Sequence, residues 1–454
     1  MVKDKLEIES TIEIEGQGNA LLPAYFLALR LKNVRSFGPQ QTLDLSNGAG
    51  RPAQWTIILG DNGVGKTTLL QSLAAITPKR EMIGALKDYV LPWCYSLESF
   101  KWPLYRSSER DYELFGEFLV NAKLSKSDGR NIVNLSVRRA RVLSTCAPVS
   151  LRKMTEFTCF GYGASRRMGE AALSEKGADN PFASLFSDSV ELLNAEEWLL
   201  QADYAAHAGS NAATRRRAEK RRDEIKEILI KLLPDVKDIK FAQITEKHPK
   251  PGIEVETHYG WVSIKDLSLG YKTLIAWMVD LASRMFERYP DSRNPLAEPA
   301  VVLVDEIDLH LHPKWQRTLM SYLSERFPNT QFIATAHSPL VVQAASDANV
   351  VLLRREGDHV VIDNDVKDIH GWRVDQILTS DLFGLESARP PQLDPLLTER
   401  TKILSKSRLT KKDKARLEEI EAEIGALPTG ETPEDMEAMD VIRRAADHLK
   451  AQGF

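Results

Sequence analysis

The stretch Trp55-Thr-Ile-Ile-Leu-Gly60-Asp-Asn62-Gly63-Val-Gly65-Lys66-Thr67-Thr68 decides how this chain folds. Trp55 to Leu59 is short and apolar, as a strand buried on both faces must be. Thr67 to Ile76 continues as an apolar helix. Between them stands G-x-x-x-x-G-K-[ST], met without departure. Its glycines leave backbone N–H groups open to an anion, and the helix N-terminus adds a favourable dipole. Asn62, Gly63, Gly65 and Thr68 therefore belong to a predicted phosphate cradle. Lys66 is expected to reach the β- and γ-phosphates of ATP, and the Thr67 hydroxyl to reach Mg²⁺. Strand, glycine loop and helix in that order predict an α/β sheet with its ligand at the strand ends.

A second unit of the same kind lies downstream. Val301-Val-Leu-Val-Asp305-Glu306 is an apolar strand ending in two carboxylates, and Pro313 to Phe327 follows as a helix. Asp305 is expected to hold Mg²⁺ through its water shell, and Glu306 to polarise a water against the γ-phosphate. The next strand, Gln331 to Thr335, runs into His337, placed to hydrogen-bond a γ-phosphate and sense its loss. Upstream, Leu267-Ser268-Leu-Gly270-Tyr-Lys272 resembles the signature of ABC ATPases and opens a helix over Thr273 to Met285. A serine and a glycine at a helix start offer an N-cap and open donors, so Ser268, Gly270 and Lys272 form a second anion site. One chain needs only one such site per ATP. Two copies facing head to tail use both, each signature capping the ATP held by the other copy's Lys66. His310 and His312 alternate in the loop after Glu306; with no third ligand in view they read as loop packing rather than metal ligands.

Composition sets wide bounds. With 454 residues, 43% hydrophobic and 27% charged, the chain is an ordinary globular one with room for a large core. A net charge of −4 marks no general polyanion binder but leaves room for a local basic groove. Cys94, Cys146 and Cys159 are widely spaced, which argues against disulfides and structural zinc. The polar N-terminus is no secretory signal, and no apolar run approaches the length of a bilayer span. A cytoplasmic location, with no membrane contact, follows as the expectation.

Five segments are expected: a loose extension over 1–25, a first ATPase lobe over 26–170, a helical insertion over 171–250, a second lobe over 251–370, and a charged helical tail over 371–454. Strands are expected at Phe26 to Arg35, Thr42 to Leu45, Ile132 to Arg138, Glu156 to Gly161, Gly252 to Thr257 and Gly260 to Ile264, with a hairpin around Gly357. Ala195 to Leu233 reads as helical and carries Arg215, Arg216, Arg217, Lys220, Arg221 and Arg222. Those cations either contact phosphates of DNA or form a solvated face laced with Glu219, Asp223 and Glu224.

Arg35-Ser-Phe-Gly, the phosphate loop, LSLGYK, VLVDEIDLHLHP and TAHSP, in that order, resemble the RecF/SMC-related branch of ABC ATPases over about residues 26 to 355. The resemblance implies an α/β ABC-type head with a mixed sheet, places Arg35 at the nucleotide, and makes Asp308 the D-loop residue that communicates across a homodimer. The stretch Gly371 to Leu385 and the tail behind it are similar to the ATPase subunits of Septu anti-phage systems, the PtuA family. That likeness implies a partner HNH nuclease subunit, PtuB-like, docked on the ATPase. Two departures stand out. The Q-loop glutamine is missing from Phe160-Gly-Tyr162-Gly-Ala-Ser-Arg166-Arg167, and the insert before Ser268 is too short for coiled-coil arms. No His-Asn-His pattern is present, and Asp363-Asn-Asp365 is a poor match to a TOPRIM nuclease, so effector chemistry is assigned to another chain. A RecF-like DNA repair clamp is the second reading; a transporter's nucleotide-binding subunit fits worse.

Overall fold

The computed structural model describes residues 24–77, 157–170, 180–233, 235–242, 251–345, 347–366, 369, 371–385, 387–406 and 410–425, together with the backbone of four strands at 79–83, 86–90, 112–120 and 131–139. Cys94, Cys146, the cluster from Pro92 to Pro103, and Pro433 to Lys450 lie outside the described residues. The strands in chain order are β1 (Ala24–Lys32), β2 (Gln41–Asp44), β3 (Trp55–Gly60), β4 (Lys79–Ile83), β5 (Leu86–Val90), β6 (Tyr112–Val120), β7 (Asn131–Arg139) and β8 (Cys159–Tyr162). They continue with β9 (Asp238–Ala242), β10 (Gly252–Thr257), β11 (Gly260–Ser263), β12 (Ala300–Val304), β13 (Thr330–Thr335), β14 (Asn349–Glu356) and β15 (His359–Asp363). The helices are α1 (Lys66–Ala75), α2 (Ala183–Phe186), α3 (Ala195–Ala208), α4 (Ala212–Leu232), α5 (Leu269–Arg288), α6 (Pro313–Arg326), α7 (Pro339–Ala344), α8 (Val374–Leu378), α9 (Asp394–Leu404) and α10 (Lys411–Gly425).

A six-stranded sheet, in the order β15-β14-β3-β13-β12-β8, carries the core. Its neighbours run parallel except at the β14–β15 edge. All residues of β12 and β13 are buried, as apolar runs flanked by parallel neighbours require. A second, antiparallel sheet has the order β2-β1-β6-β7, which gives the chain the mixed α/β head expected of an ABC-type ATPase. The strand at β1 starts at Ala24, inside the expected loose extension, because Tyr25 is fully buried and its hydroxyl bonds the Asn329 carbonyl at 2.9 Å.

One buried side chain joins the two sheets. The pairing of β1 with β6 slips between Phe26 and Ala28. At that irregularity Gln331, on β13, accepts from Phe26 N–H and donates to Phe26 C=O, both at 2.9 Å. An amide side chain thus completes a backbone that the bulge has taken out of register.

Between the lobes the expected single helical run from Ala195 is two helices. The first ends at Gly209, and Asn211 caps the second by accepting from Thr214 N–H at 2.9 Å. Ile225, Ile228, Leu229 and Leu232 form the buried stripe of α4, on its C-terminal half. Strand β9, absent from the sequence reading, pairs with β10 in a three-stranded sheet and is pinned by Lys226–Asp238 at 2.8 Å and Lys240–Glu254 at 2.9 Å.

Residues from Leu378 onward form a second unit. There α9 and α10 enclose a small core of Ile403, Leu417 and Ile420 with Leu396 against it. Thr410 and Asp413 cap each other's backbone N–H at 3.1 and 2.9 Å and so start α10 after the break. Among the described residues no helix is long and apolar enough to cross a membrane.

Gln331→Leu is expected to lower stability by about 1–3 kcal/mol for each Phe26 group left without its partner, read as a lower denaturation midpoint in urea.

Candidate nucleotide site

The loop after β3 is shaped by three glycines with positive φ: Gly60 at 142°, Gly63 at 80° and Gly65 at 104°. Two of these also have no room for a side chain. A Cβ at Gly60 would lie 2.7 Å from the Leu353 carbonyl, and one at Gly65 would lie 2.5 Å from Ser36 Oγ. Ser36 in turn donates to the Val64 carbonyl at 3.0 Å, so the Arg35–Phe37 turn braces the loop from outside. Arg35 sits in that turn at φ 48°, half-buried, with its guanidinium pKa lowered by burial. Asn62 and Gly63 are exposed at the tip, and Thr68 is buried one residue beyond Thr67 in α1.

Lys66 folds back over the loop and donates to the carbonyls of Gly60 at 2.7 Å and Asp61 at 2.8 Å. Burial lowers its pKa, and the carboxylates of Asp305, Glu306, Asp61 and Asp308 pull it back up. Thr67 Oγ1 donates to Asp305 Oδ2 at 2.6 Å, across a sequence separation of 238 residues. The other Asp305 oxygen accepts from Thr335 Oγ1, also at 2.6 Å. That hydroxyl accepts from Glu306 N–H at 2.7 Å. Both ends of the carboxylate are thus occupied by hydroxyls, as a buried charge requires.

The loop behind β12 is ordered by its neighbours. Asp308 accepts from His337 N–H with both oxygens, at 3.2 and 3.1 Å. Gln316, on α6, donates to the carbonyls of Asp308 at 3.3 Å and Leu311 at 3.1 Å and accepts from Ser338 Oγ at 2.6 Å. His312 caps α6, accepting from Lys314 N–H at 3.2 Å. Both loop histidines are exposed, and among the described residues no group of three or more metal-ligating side chains is found.

Ser268 stands at the N-cap of α5, but no side-chain capping bond is made, and the serine and Leu269 are exposed. Helix α5 begins at Leu269, four residues earlier than the sequence suggested, so Gly270 and Lys272 lie in its first turn. Gly270 packs against the Asp308 loop: a Cβ there would lie 2.4 Å from the His310 carbonyl. Tyr271 meets Trp315 edge to face at 4.7 Å. No hydrogen bond among the described residues joins Ser268, Gly270 or Lys272 to the phosphate loop.

Of the expected site residues, hydrogen bonds join Thr67, Asp305 and Glu306 through Thr335, and Asp308 to the backbone of His337, while Lys66 bonds its own loop and the signature turn packs on the loop at His310 and on Trp315. The sequence reading missed three members: Thr335, Gln316 and Arg166. Arg166 is 1% exposed, and Nη2 donates to the Glu306 carbonyl at 2.8 Å while Nη1 donates to the carbonyls of Gly163, at 3.1 Å, and of Asp305. The glycine-rich run with paired arginines after β8 was its one sequence signal.

The chain is similar to known proteins over much of its length. A family described as "AAA domain, putative AbiEii toxin, Type IV TA system" matches residues 165–343, and a further AAA domain matches 28–79. The Septu protein PtuA of Bacillus mycoides (strain KBAB4) is 30% identical over 370 residues, covering 79% of this chain and 44% of that protein. The Septu protein PtuA of Bacillus thuringiensis is 25% identical over 362 residues, covering 77% of this chain and 83% of that one. The Retron Vc95 probable ATPase of Vibrio cholerae serotype O1 biovar El Tor is 39% identical over 129 residues, covering 28% of this chain and 24% of that protein. The chain thus spans less than half the length of the Bacillus mycoides relative. Among solved structures, an SMC head bound to the C-winged-helix domain of ScpA aligns at 16% identity over 74% of this chain and 96% of that one, with a TM-score of 0.41.

Gly270→Ala is expected to push the turn at His310 aside and cost about 1–3 kcal/mol, as overpacking does, read as a lower melting temperature.

Proposed function

We propose that this chain, which resembles the Septu PtuA proteins over most of its length, is an ATP-hydrolysing switch that closes as a head-to-tail homodimer. The observation that carries the reading is the 2.6 Å contact between Thr67 and Asp305. It joins the phosphate loop that follows β3 to the carboxylate pair that follows β12. A hydroxyl and a carboxylate are hard oxygen donors and suit Mg²⁺, which takes few protein ligands and keeps several waters. Bound there, the ion neutralises charge on the phosphate oxygens.

The residues divide the work. Backbone N–H groups from Asn62 to Thr68 cradle the phosphates, and Lys66 leaves the loop carbonyls for them. Glu306 polarises the attacking water, with His337 beside it on the backbone that Asp308 fixes. Ser268, Gly270 and Lys272 meet the ATP of the second copy, a role supported by the exposure of Ser268 and Leu269 and by the lack, among the described residues, of any hydrogen bond from the turn to its own phosphate loop.

The partner is a PtuB-like HNH nuclease subunit, gated by nucleotide state in a cytoplasmic anti-phage complex. The likeness to Septu PtuA proteins and retron ATPases supports the anti-phage part of this reading. Contact with DNA falls to Arg215, Arg216 and Arg217, all exposed on the N-terminal half of α4. Arg215 also donates to the Gly209 carbonyl at 3.1 Å, and Lys220, Arg221 and Arg222 are engaged with Glu224 at 3.6 Å, with the Phe286 carbonyl at 3.2 Å and with Asp203 at 2.7 Å.

Two experiments test the core of the reading. With Lys66→Ala, calorimetric titration with ATP and Mg²⁺ is expected to show most binding lost; unchanged affinity would sink the phosphate-loop assignment. Glu306→Gln is expected to keep ATP affinity, cut phosphate release to a small residual rate and accumulate dimer by light scattering. Adding Ser268→Arg to that variant is expected to return it to monomer, and a persisting ATP-dependent dimer would refute head-to-tail sharing. Co-purification of an HNH nuclease with Glu306→Gln from the native cell, analysed by mass spectrometry, checks the partner.

A further inference from the structure

Glu306 is held in a backbone conformation that a glutamate avoids. Its φ of 47° is left-handed, a conformation that costs about 1–3 kcal/mol outside glycine and persists only where neighbours enforce it. The enforcement is a clamp on both sides of the residue. Thr335 takes the Glu306 N–H, and the Glu306 C=O accepts from Arg166 and, at 3.0 Å, from Leu309 N–H. The same guanidinium holds the Asp305 and Gly163 carbonyls, so one planar fork ties β12 to the turn after β8. Arg166 is itself left-handed, at φ 35°.

As packing alone this arrangement is a poor choice. Burial pushes the Arg166 pKa down to about 10, opposed by the carboxylates of Asp305, Asp308 and Glu306, so the group stays cationic at neutral pH. Its Nε, like Nε1 of Trp277 beneath it, is buried and finds no acceptor among the described residues. An apolar side chain there would avoid both penalties. What arginine supplies is the fork on the carbonyls, which leaves the Glu306 carboxylate itself uncommitted.

The platform for that fork belongs to the signature helix. The guanidinium lies 5.6 Å from the centre of the Trp277 ring, and Trp277 follows Gly270 by two helical turns on one face of α5. Gly270 touches the loop at His310, and Asp280, farther along, accepts from Tyr162 OH at 3.0 Å. The face of α5 that begins at the signature thus lies along both segments that set Glu306.

We propose that Arg166 is the positioning residue through which helix α5 sets the backbone, and hence the carboxylate, of Glu306. The proposal rests on the reading of Glu306 as the group that polarises water. Arg166 touches no nucleotide in this account, so its loss lowers turnover rather than binding.

The test compares the full chain with Arg166→Lys, Glu306→Gln and the double variant, measuring ATP affinity by calorimetry and kcat by phosphate release. A lysine keeps the charge but cannot span three carbonyls. Its kcat is expected to fall on the order of a hundredfold, the scale of a misplaced catalytic group, with ATP affinity within about threefold of the parent and no further loss in the Glu306→Gln background. Parental kcat in Arg166→Lys overturns the proposal. So does a loss of affinity that matches the loss of kcat, or an equal fractional loss in both backgrounds. If Arg166→Lys gives no cooperative melt, Thr335→Val, the other half of the clamp, carries the test, and parental kcat there overturns it. If instead the wild-type chain releases no phosphate, or Glu306→Gln releases it at the parental rate, the reading of Glu306 falls first and this inference with it.

Discussion

A carboxylate buried at the end of a parallel strand is the constraint around which this site is organised. Asp305 is 6% exposed, and a charge so placed is tolerated only when its oxygens are bonded. The sheet order supplies the two hydroxyls. Strand β13 lies between β3 and β12, so the phosphate loop that follows β3 and the carboxylates that follow β12 are separated by one strand width. Thr335, the last residue of that intervening strand, fills the gap. It donates to Asp305 and accepts from Glu306, while Thr67 reaches across from α1. Two segments distant in sequence are therefore registered against each other by the strand between them.

Backbone strain collects in the same place. The described non-glycine residues with positive φ are Asn33, Arg35, Arg166, Asp235, Glu306 and His310. Asn33 and Arg35 belong to the turn that braces the phosphate loop, Arg166 and Glu306 hold each other, and His310 carries the carbonyl that Gly270 meets. Asp235 alone stands apart, in the turn before β9. A chain selected for stability alone would place glycine or asparagine in such positions. Asn33 is such a residue, whereas Arg35, Arg166 and Glu306 hold the conformation against their own preference, and strain of this kind collects at functional sites.

How much of this was legible in the sequence depends on whether the signal was local. The phosphate loop, the apolar strands β3, β12 and β13, and the hairpin at Gly357 follow from periods and turn residues a few positions apart, and the structure places them within one or two residues. The clamp on Glu306 was not legible, because Arg166 and Thr335 meet Glu306 only through the sheet order. Arg166 lay in the segment where a Q-loop glutamine was sought, and looking for that residue type hid the arginine beside it. The tie between Gln331 and Phe26 was invisible for the same reason, since a polar residue in an apolar strand gives no hint of which distant backbone it completes. Strand β9 is short and charged, held by pairing to β10 and by ion pairs rather than by its own apolar pattern. The break at Gly209 was readable in principle: Gly-Ser-Asn is a helix stop followed by an N-cap.

The signature helix gains its mechanical character from the way it is anchored. Asp280, fully buried in the middle of α5, accepts from Arg284 at 2.5 Å, from Tyr162 OH at 3.0 Å and from Leu193 N–H at 3.2 Å. An ion pair so buried is no gain over apolar packing, but breaking one side of it costs about 3–5 kcal/mol, so it fixes the helix in place. Beyond that anchor, toward the N-terminus, α5 rests on Trp277 and Gly270 and ends in an exposed turn. Trp277 bears on the arginine that holds Glu306, and Gly270 bears on the loop that holds Asp308 and, through it, the backbone of His337. The exposed turn at Ser268 is thereby linked, within one chain, to the carboxylate pair at Asp305 and Glu306.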